Sequence, residues 1–287
     1  MARGVNTVNE MLIRLGYDIR FDVTQDVPFV ALLSVHPSRR GDLLEPDRLI
    51  VEPGVDTTEY VDSFGNICTR FLAPRGPVRL TNSTLIQDSG LLDLESLDAP
   101  EVPVEHLPTD TLRYLMSSRF CEVDLLSATA VELFGGIPRG WSRVRAICQW
   151  VHAKVRFSYP EARPTRTALD VYTERVGVCR DFQHLAITFC RALNIPARYA
   201  TGYLGDIGVT LPPSPMDFSA WFEVYLGNRW WTFDARHNAA RIGRVLLATG
   251  LDATDVAITT SFGGSRLSHF EVVTDEVVGI RAGGATI

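Results

Sequence analysis

The chain has 287 residues, enough for one or two domains, and its 46% hydrophobic and 22% charged content exclude collagen-like and wholly disordered classes. A formal charge of -6 argues against a nucleic-acid partner, which would ask for a basic excess. Five cysteines, an odd number, exclude a disulfide framework, and six histidines leave few candidates for histidine chemistry. No run reaches 18 apolar residues, so no transmembrane helix and no membrane partner are expected. The opening MARGVNTVNEMLIRLGY lacks a signal-peptide core and the closing RAGGATI lacks a lipidation motif, so the expected location is cytoplasmic, with reduced thiols.

Residues 11 to 86 read as short strands. In LIRLGYDIRFDV, Leu15, Tyr17, Ile19 and Phe21 share one face. PFVALLSVHP is a short apolar strand, EYVDSFGNICTRFLAP is two strands around Phe64-Gly65-Asn66, and PVRLTNSTLIQ is another. No helical crossovers are visible, so an antiparallel sheet or sandwich is expected. From about 88 to 110, Pro-rich and acidic sequence predicts a linker or wrapping segment. Helices follow: a broken one after Asp110, and one in which Trp141, Val144, Ile147, Cys148 and Val151 recur at helical spacing. The domain division read from this pattern is 1-100 for a β domain and 101-287 for an α+β core.

The segment from 166 to 238 carries the chemistry. Phe182, Leu185, Ala186, Phe189 and Leu193 predict a helix from about Cys179 to Leu193. Cys179 falls in its first turn, where unpaired N–H groups and the helix dipole favour a thiolate. After the strand IPARYATGYL and the Pro-rich LPPSPMD, FSAWFEVYLGNRWWTFDARHN reads as a hairpin turning at Gly227-Asn228. Counting back from Leu226 opposite Arg229 pairs Trp221 with Asp234 and Ser219 with Arg236, all on one face. A helix-start cysteine beside such a strand pair is a papain-like layout.

GVCRDFQHLAITFCRALNIPARYATGYL followed by AWFEVYLGNRWWTFDARHN resembles the core of the transglutaminase-like superfamily, and more narrowly the bacterial transglutaminase-like cysteine proteases. The likeness spans roughly 110 to 262, and DSFGN with its strands is similar to the β domain that precedes that core. The resemblance implies a Cys-His-Asp triad acting on peptide or isopeptide amides through an acyl-thioester, with protein or peptide as substrate. Carried over, Cys179 is the nucleophile and Asp234 orients the base. The family's histidine stands two residues before Trp221, where this chain has Ser219, and a serine cannot act as general base at neutral pH.

His237 is the substitute base if the chain turns after Asp234; on a continuing strand it would point away. Ser219 and Trp221 are assigned to the substrate cleft, and His184 to the core. Two readings stay open: a cysteine hydrolase or acyltransferase using Cys179, Asp234 and His237, and a catalytically impaired binding protein of the same fold. The other cysteines form no C-x-x-C pair, the histidines are scattered, and no acidic calcium loop or phosphate loop is seen, so no metal and no cofactor are expected. The tail SHFEVVTDEVV is read as a last strand completing the core sheet.

Overall fold

The structure is a computed structural model and describes residues 11–209 and 216–277. The Pro-rich 211–215 and the closing RAGGATI lie outside these residues, as do the first ten of the opening segment.

The first third is antiparallel β, as the alternation predicts. Its strands are β1 (Met11–Val23), β2 (Val27–Ala31), β3 (Ile50–Glu52), β4 (Thr57–Val61), β5 (Ile67–Ala73) and β6 (Gly76–Asp88). Leu15, Tyr17, Ile19 and Phe21 of β1 are all buried. The turn between β4 and β5 closes on Asp62, whose Oδ1 accepts the N–H groups of Phe64 and Asn66. Residues 89–108 run along the second part of the chain, where Trp141 N–H at the start of a helix donates to Ala99 O and Gly227 N–H in a hairpin turn donates to Pro100 O.

The second part holds α1 (Val123–Phe134), α2 (Trp141–Lys154), β7 (Arg156–Phe157), α3 (Ala168–Glu174), β8 (Val176–Gly177), α4 (Cys179–Ala192), β9 (Ala197–Tyr203), β10 (Ser219–Leu226), β11 (Arg229–Phe233) and β12 (Val245–Gly250). A four-stranded antiparallel sheet runs in the order β11-β10-β9-β12, with α4 packed on it and α1, α2 and α3 around α4. This explains a departure from the expected amphipathic stripe: every residue of α4 from Asp181 to Arg191 is buried. Its polar side chains therefore need internal partners. Arg191 donates to the carbonyls of Ala197 and Leu251, and Thr188 to that of His184.

The β10–β11 hairpin turns at Gly227 and Asn228, with φ of 55° and 66°, the left-handed pair that a two-residue hairpin requires. Its register sets Leu226 against Arg229 and Phe222 against Phe233. The expected pairing of Ser219 with Arg236 does not form, because β11 ends at Phe233 and the chain turns at 235–237.

One strand expectation is corrected. The last strands, β13 (Thr259–Ser261) and β14 (Ser265–Glu276), do not join the core sheet. They complete the two sheets built by the start of the chain, in the orders β13-β2-β5-β4 and β14-β1-β6-β3. β14 pairs with β1 from Val23↔Ser265 to Ile13↔Glu276. The open edge of β1 offered a full-length partner, whereas β12 ends the core sheet. Among the described residues, no helix is long and apolar enough to cross a membrane.

Candidate active site

The motif Gly-Val-Cys-Arg-Asp acts locally to hold Cys179 at the first position of α4. Asp181 folds back so that its Oδ2 accepts the Val178 N–H at 2.9 Å, satisfying a backbone donor ahead of the helix. Glycine is needed at 177, since a Cβ there would lie 2.6 Å from Asp181 Cβ. Arg180 and Arg166 flank the buried Asp181 carboxylate at 3.2 and 3.5 Å.

Asp234 follows the last residue of β11 and is 6% exposed. Five donors converge on its carboxylate. Oδ1 accepts from Gln183 Nε2 at 3.1 Å, Arg236 N–H at 2.9 Å and His237 N–H at 3.0 Å. Oδ2 accepts from His237 Nδ1 at 2.8 Å and an Arg244 terminal nitrogen at 3.0 Å. The turn is closed by Asn238 N–H donating to Asp234 O at 2.8 Å, with Asn238 in the left-handed region. Burial alone would push this carboxyl up, but the His237 hydrogen bond and the Arg244 charge hold it well below the usual carboxylate range. An ionised carboxylate only accepts, so Nδ1 is the donor in the bond to His237, and in the neutral ring the lone pair is then on Nε2.

A single cleft is lined by Cys179, Ser219 and His237, with Arg236, Asp217 and Tyr159 around them. The structure thus brings Cys179 and His237 to the same cleft and hangs His237 on Asp234. Trp221, expected on the cleft wall, is 2% exposed and does not line it. The Arg244 guanidinium lies 5.2 Å over its ring. Ser219 lines the cleft, and its Oγ is buried without a hydrogen-bond partner among the described residues. His184 is fully buried, stacked on Phe120 with ring centroids 5.0 Å apart, and its Nε2 accepts the Ala253 N–H.

The helix start does not by itself make a thiolate. Burial pushes the Cys179 thiol up to about 11, against the opposing pull of Arg236, and Asp217 adds to the rise. Desolvation outweighs the helix terminus, so the resting sulfur carries its proton.

Three supporting residues went unmarked in the sequence. Gln183 stands one helical turn after Cys179, and its amide spans the site: Nε2 donates to Asp234 and Ala220 O, and Oε1 accepts the Ala235 N–H. The four-residue spacing from Cys179 was a usable signal. Arg244 joins Asp234 to Asp93, at 3.0 and 2.8 Å. Asp93 comes from the wrapping segment, and nothing local in the sequence links it to the site. Among the described residues, no cluster of three metal-ligating side chains occurs.

Residues 127–235 match the family model described as the transglutaminase-like superfamily. The crystal structure of a putative cysteine protease from Cytophaga hutchinsonii is 31% identical, with 96% of this chain and 93% of that chain covered and a TM-score of 0.82. The chain belongs to the transglutaminase-like superfamily. An uncharacterized protein of Mycobacterium leprae is 23% identical over 253 residues, 80% of this chain and 84% of that protein. The periplasmic domain of TgpA from Pseudomonas aeruginosa is 16% identical, with 78% of this chain and 88% of that chain covered and a TM-score of 0.40.

Proposed function

We propose that the protein is a cysteine hydrolase or acyltransferase acting on peptide or isopeptide amides, with Cys179 as nucleophile, His237 as base and Asp234 as its orienting partner. The observation that carries this reading is the 2.8 Å bond between His237 Nδ1 and Asp234 Oδ2, on an imidazole that lines the cleft of Cys179.

The chemistry follows from these placements. His237 Nε2 takes the thiol proton as Cys179 Sγ attacks the amide carbonyl, giving a tetrahedral oxyanion and an imidazolium. The buried Asp234 carboxylate stabilises that imidazolium and keeps the ring aimed. The imidazolium then protonates the amide nitrogen, the C–N bond breaks and the amine leaves. The acyl group remains as a Cys179 thioester. Water releases it as a carboxylic acid, while an amine carries it into a new amide; in both cases His237 removes the attacking proton. All five cysteines are unpaired, which suits such a thiol and the expected reducing, cytoplasmic setting.

Turnover on a panel of peptide and isopeptide amides tests the reading. Activity lost in Cys179→Ala and in His237→Asn supports it, and activity retained in either variant defeats it. A second reading, a binding protein without turnover, is favoured by Ser219 at the family's histidine position and by its unpartnered hydroxyl. That reading predicts no turnover by the natural sequence and restored thiol activation in Ser219→His.

A further inference from the structure

Arg236 occupies an unusual position among the arginines of the site. Its backbone is held from both sides: its N–H donates to Asp234 Oδ1 at 2.9 Å, and its carbonyl accepts His152 Nδ1 at 2.7 Å. Its guanidinium lies 4.1 Å over the Phe157 ring, which fixes the plane without engaging the N–H groups. The neighbouring arginines each hold partners, although Arg241 Nε and one Arg244 terminal nitrogen are buried without one among the described residues. Arg244 pairs with Asp93 and Asp234, Arg241 holds Gly205 O and Asp206, and Arg180 holds Asp181 and Arg163 O. Among the described residues, the Arg236 guanidinium makes no hydrogen bond and no ion pair. Asp217 lines the same cleft but is not paired with it.

A half-buried guanidinium with an open donor fork matches a carboxylate in geometry and charge. We infer that Arg236 is the substrate-recognition residue of this cleft and binds a free carboxylate close to the scissile amide, so that the substrates are acidic amides. The inference rests on Cys179 being the attacking group, because Arg236 lines the cleft beside it. The counter-ion that the resting site lacks is then delivered by the substrate, and it positions the amide carbonyl at the sulfur.

Two alkylating probes test this without any turnover. Iodoacetate and iodoacetamide both alkylate the thiolate at their CH2 carbon, forming an S–C bond as iodide leaves, and the carboxymethyl and carbamidomethyl groups they transfer differ only in carboxylate against carboxamide. Both rates scale with the same thiolate fraction, so their ratio is insensitive to thiol ionisation. Measured on the Cys179 peptide by mass spectrometry at pH 8.5, the iodoacetate-to-iodoacetamide ratio should exceed that of glutathione by about ten-fold, the scale of one charge-assisted contact. Arg236→Gln should return it to the glutathione value, and Asp217→Asn, which removes the competing anion, should raise it. A wild-type ratio at or below that of glutathione overturns the inference, as does a ratio unchanged by Arg236→Gln. The wild-type comparison stands by itself if the variant does not fold. A ratio no higher than that of glutathione, with turnover intact, defeats the inference alone; no labelling of Cys179 by either reagent defeats the catalytic reading with it.

Discussion

His237 Nδ1 donates to Asp234 Oδ2 across 2.8 Å although the two residues are only three apart in a segment that begins as a strand. A strand would send them to opposite faces. The contact exists because Asp234 caps the turn that follows it, collecting the N–H groups of Arg236 and His237 on Oδ1 while Oδ2 takes the ring. One carboxylate therefore both ends the strand and orients the imidazole.

If that imidazole is the base, His237→Asn removes the proton acceptor while keeping a side-chain donor for Asp234. The expected result is a fall in kcat of roughly a hundred-fold to ten-thousand-fold, with the Tm close to that of the natural sequence. A fall in kcat of less than a few-fold would show that the cleft's proton acceptor lies elsewhere.

The resting thiol makes a separate prediction. Because burial pushes Cys179 up to about 11, its iodoacetamide labelling rate should be slow at neutral pH and climb as the pH rises towards that value. A helix-start thiolate would instead give a plateau well below pH 8. The pH–rate profile of the Cys179 peptide separates the two, and Asp217→Asn should shift the inflection down by removing a charge that raises it.

Asp234 also sets a stability trend. Its folded pKa is depressed, so the unfolded chain binds its proton more readily, and stability rises with pH through this group. The contribution is complete above the unfolded value of about 4 and drains away as the pH falls below it. Asp234→Asn should flatten that acid limb in urea unfolding series. It should also cost about 3 kcal/mol at pH 7, because the buried Arg244 loses one of its two carboxylate partners, the buried one. An unchanged acid limb would mean that the Asp234 carboxylate is not what titrates.

The sequence revealed more of the fold than of the site. Alternation exposed β1, and Gly227-Asn228 exposed the hairpin, because each is a local demand on backbone or face. The pairing of β14 with β1 joins residues some 250 positions apart, and no local preference distinguishes that edge from the core sheet. At the site, Cys179 and Asp234 stood in a recognisable pattern. His237 depended on whether the chain turned after Asp234, which five hydrogen bonds to one carboxylate decide. The ionisation of Cys179 turned on burial, which the helix-start address does not report. Asp93 and Arg244 are joined only by tertiary folding.

Gln183 offers the sharpest test of how the site is held. Its amide sits between α4 and the end of β11, donating to Asp234 and accepting from Ala235, so it ties the cysteine helix to the aspartate turn. Gln183→Ala strands the Ala235 N–H and removes one donor from Asp234, an expected cost of about 2–3 kcal/mol. As a positioning residue it should lower kcat with KM nearly unchanged. Gln183→Glu keeps the shape but sets a second buried carboxylate where the amide nitrogen stood, 3.1 Å from Asp234 Oδ1. Repulsion and burial both raise the pKa of the introduced group, so the folded state binds its proton more tightly than the unfolded chain does. Its destabilisation should therefore be small in acid and grow as the pH rises, opposite in sign to the Asp234 trend. Urea midpoints between pH 4 and pH 8 read this directly; a Gln183→Glu protein that gains stability with pH as the natural sequence does would remove Gln183 from contact with Asp234.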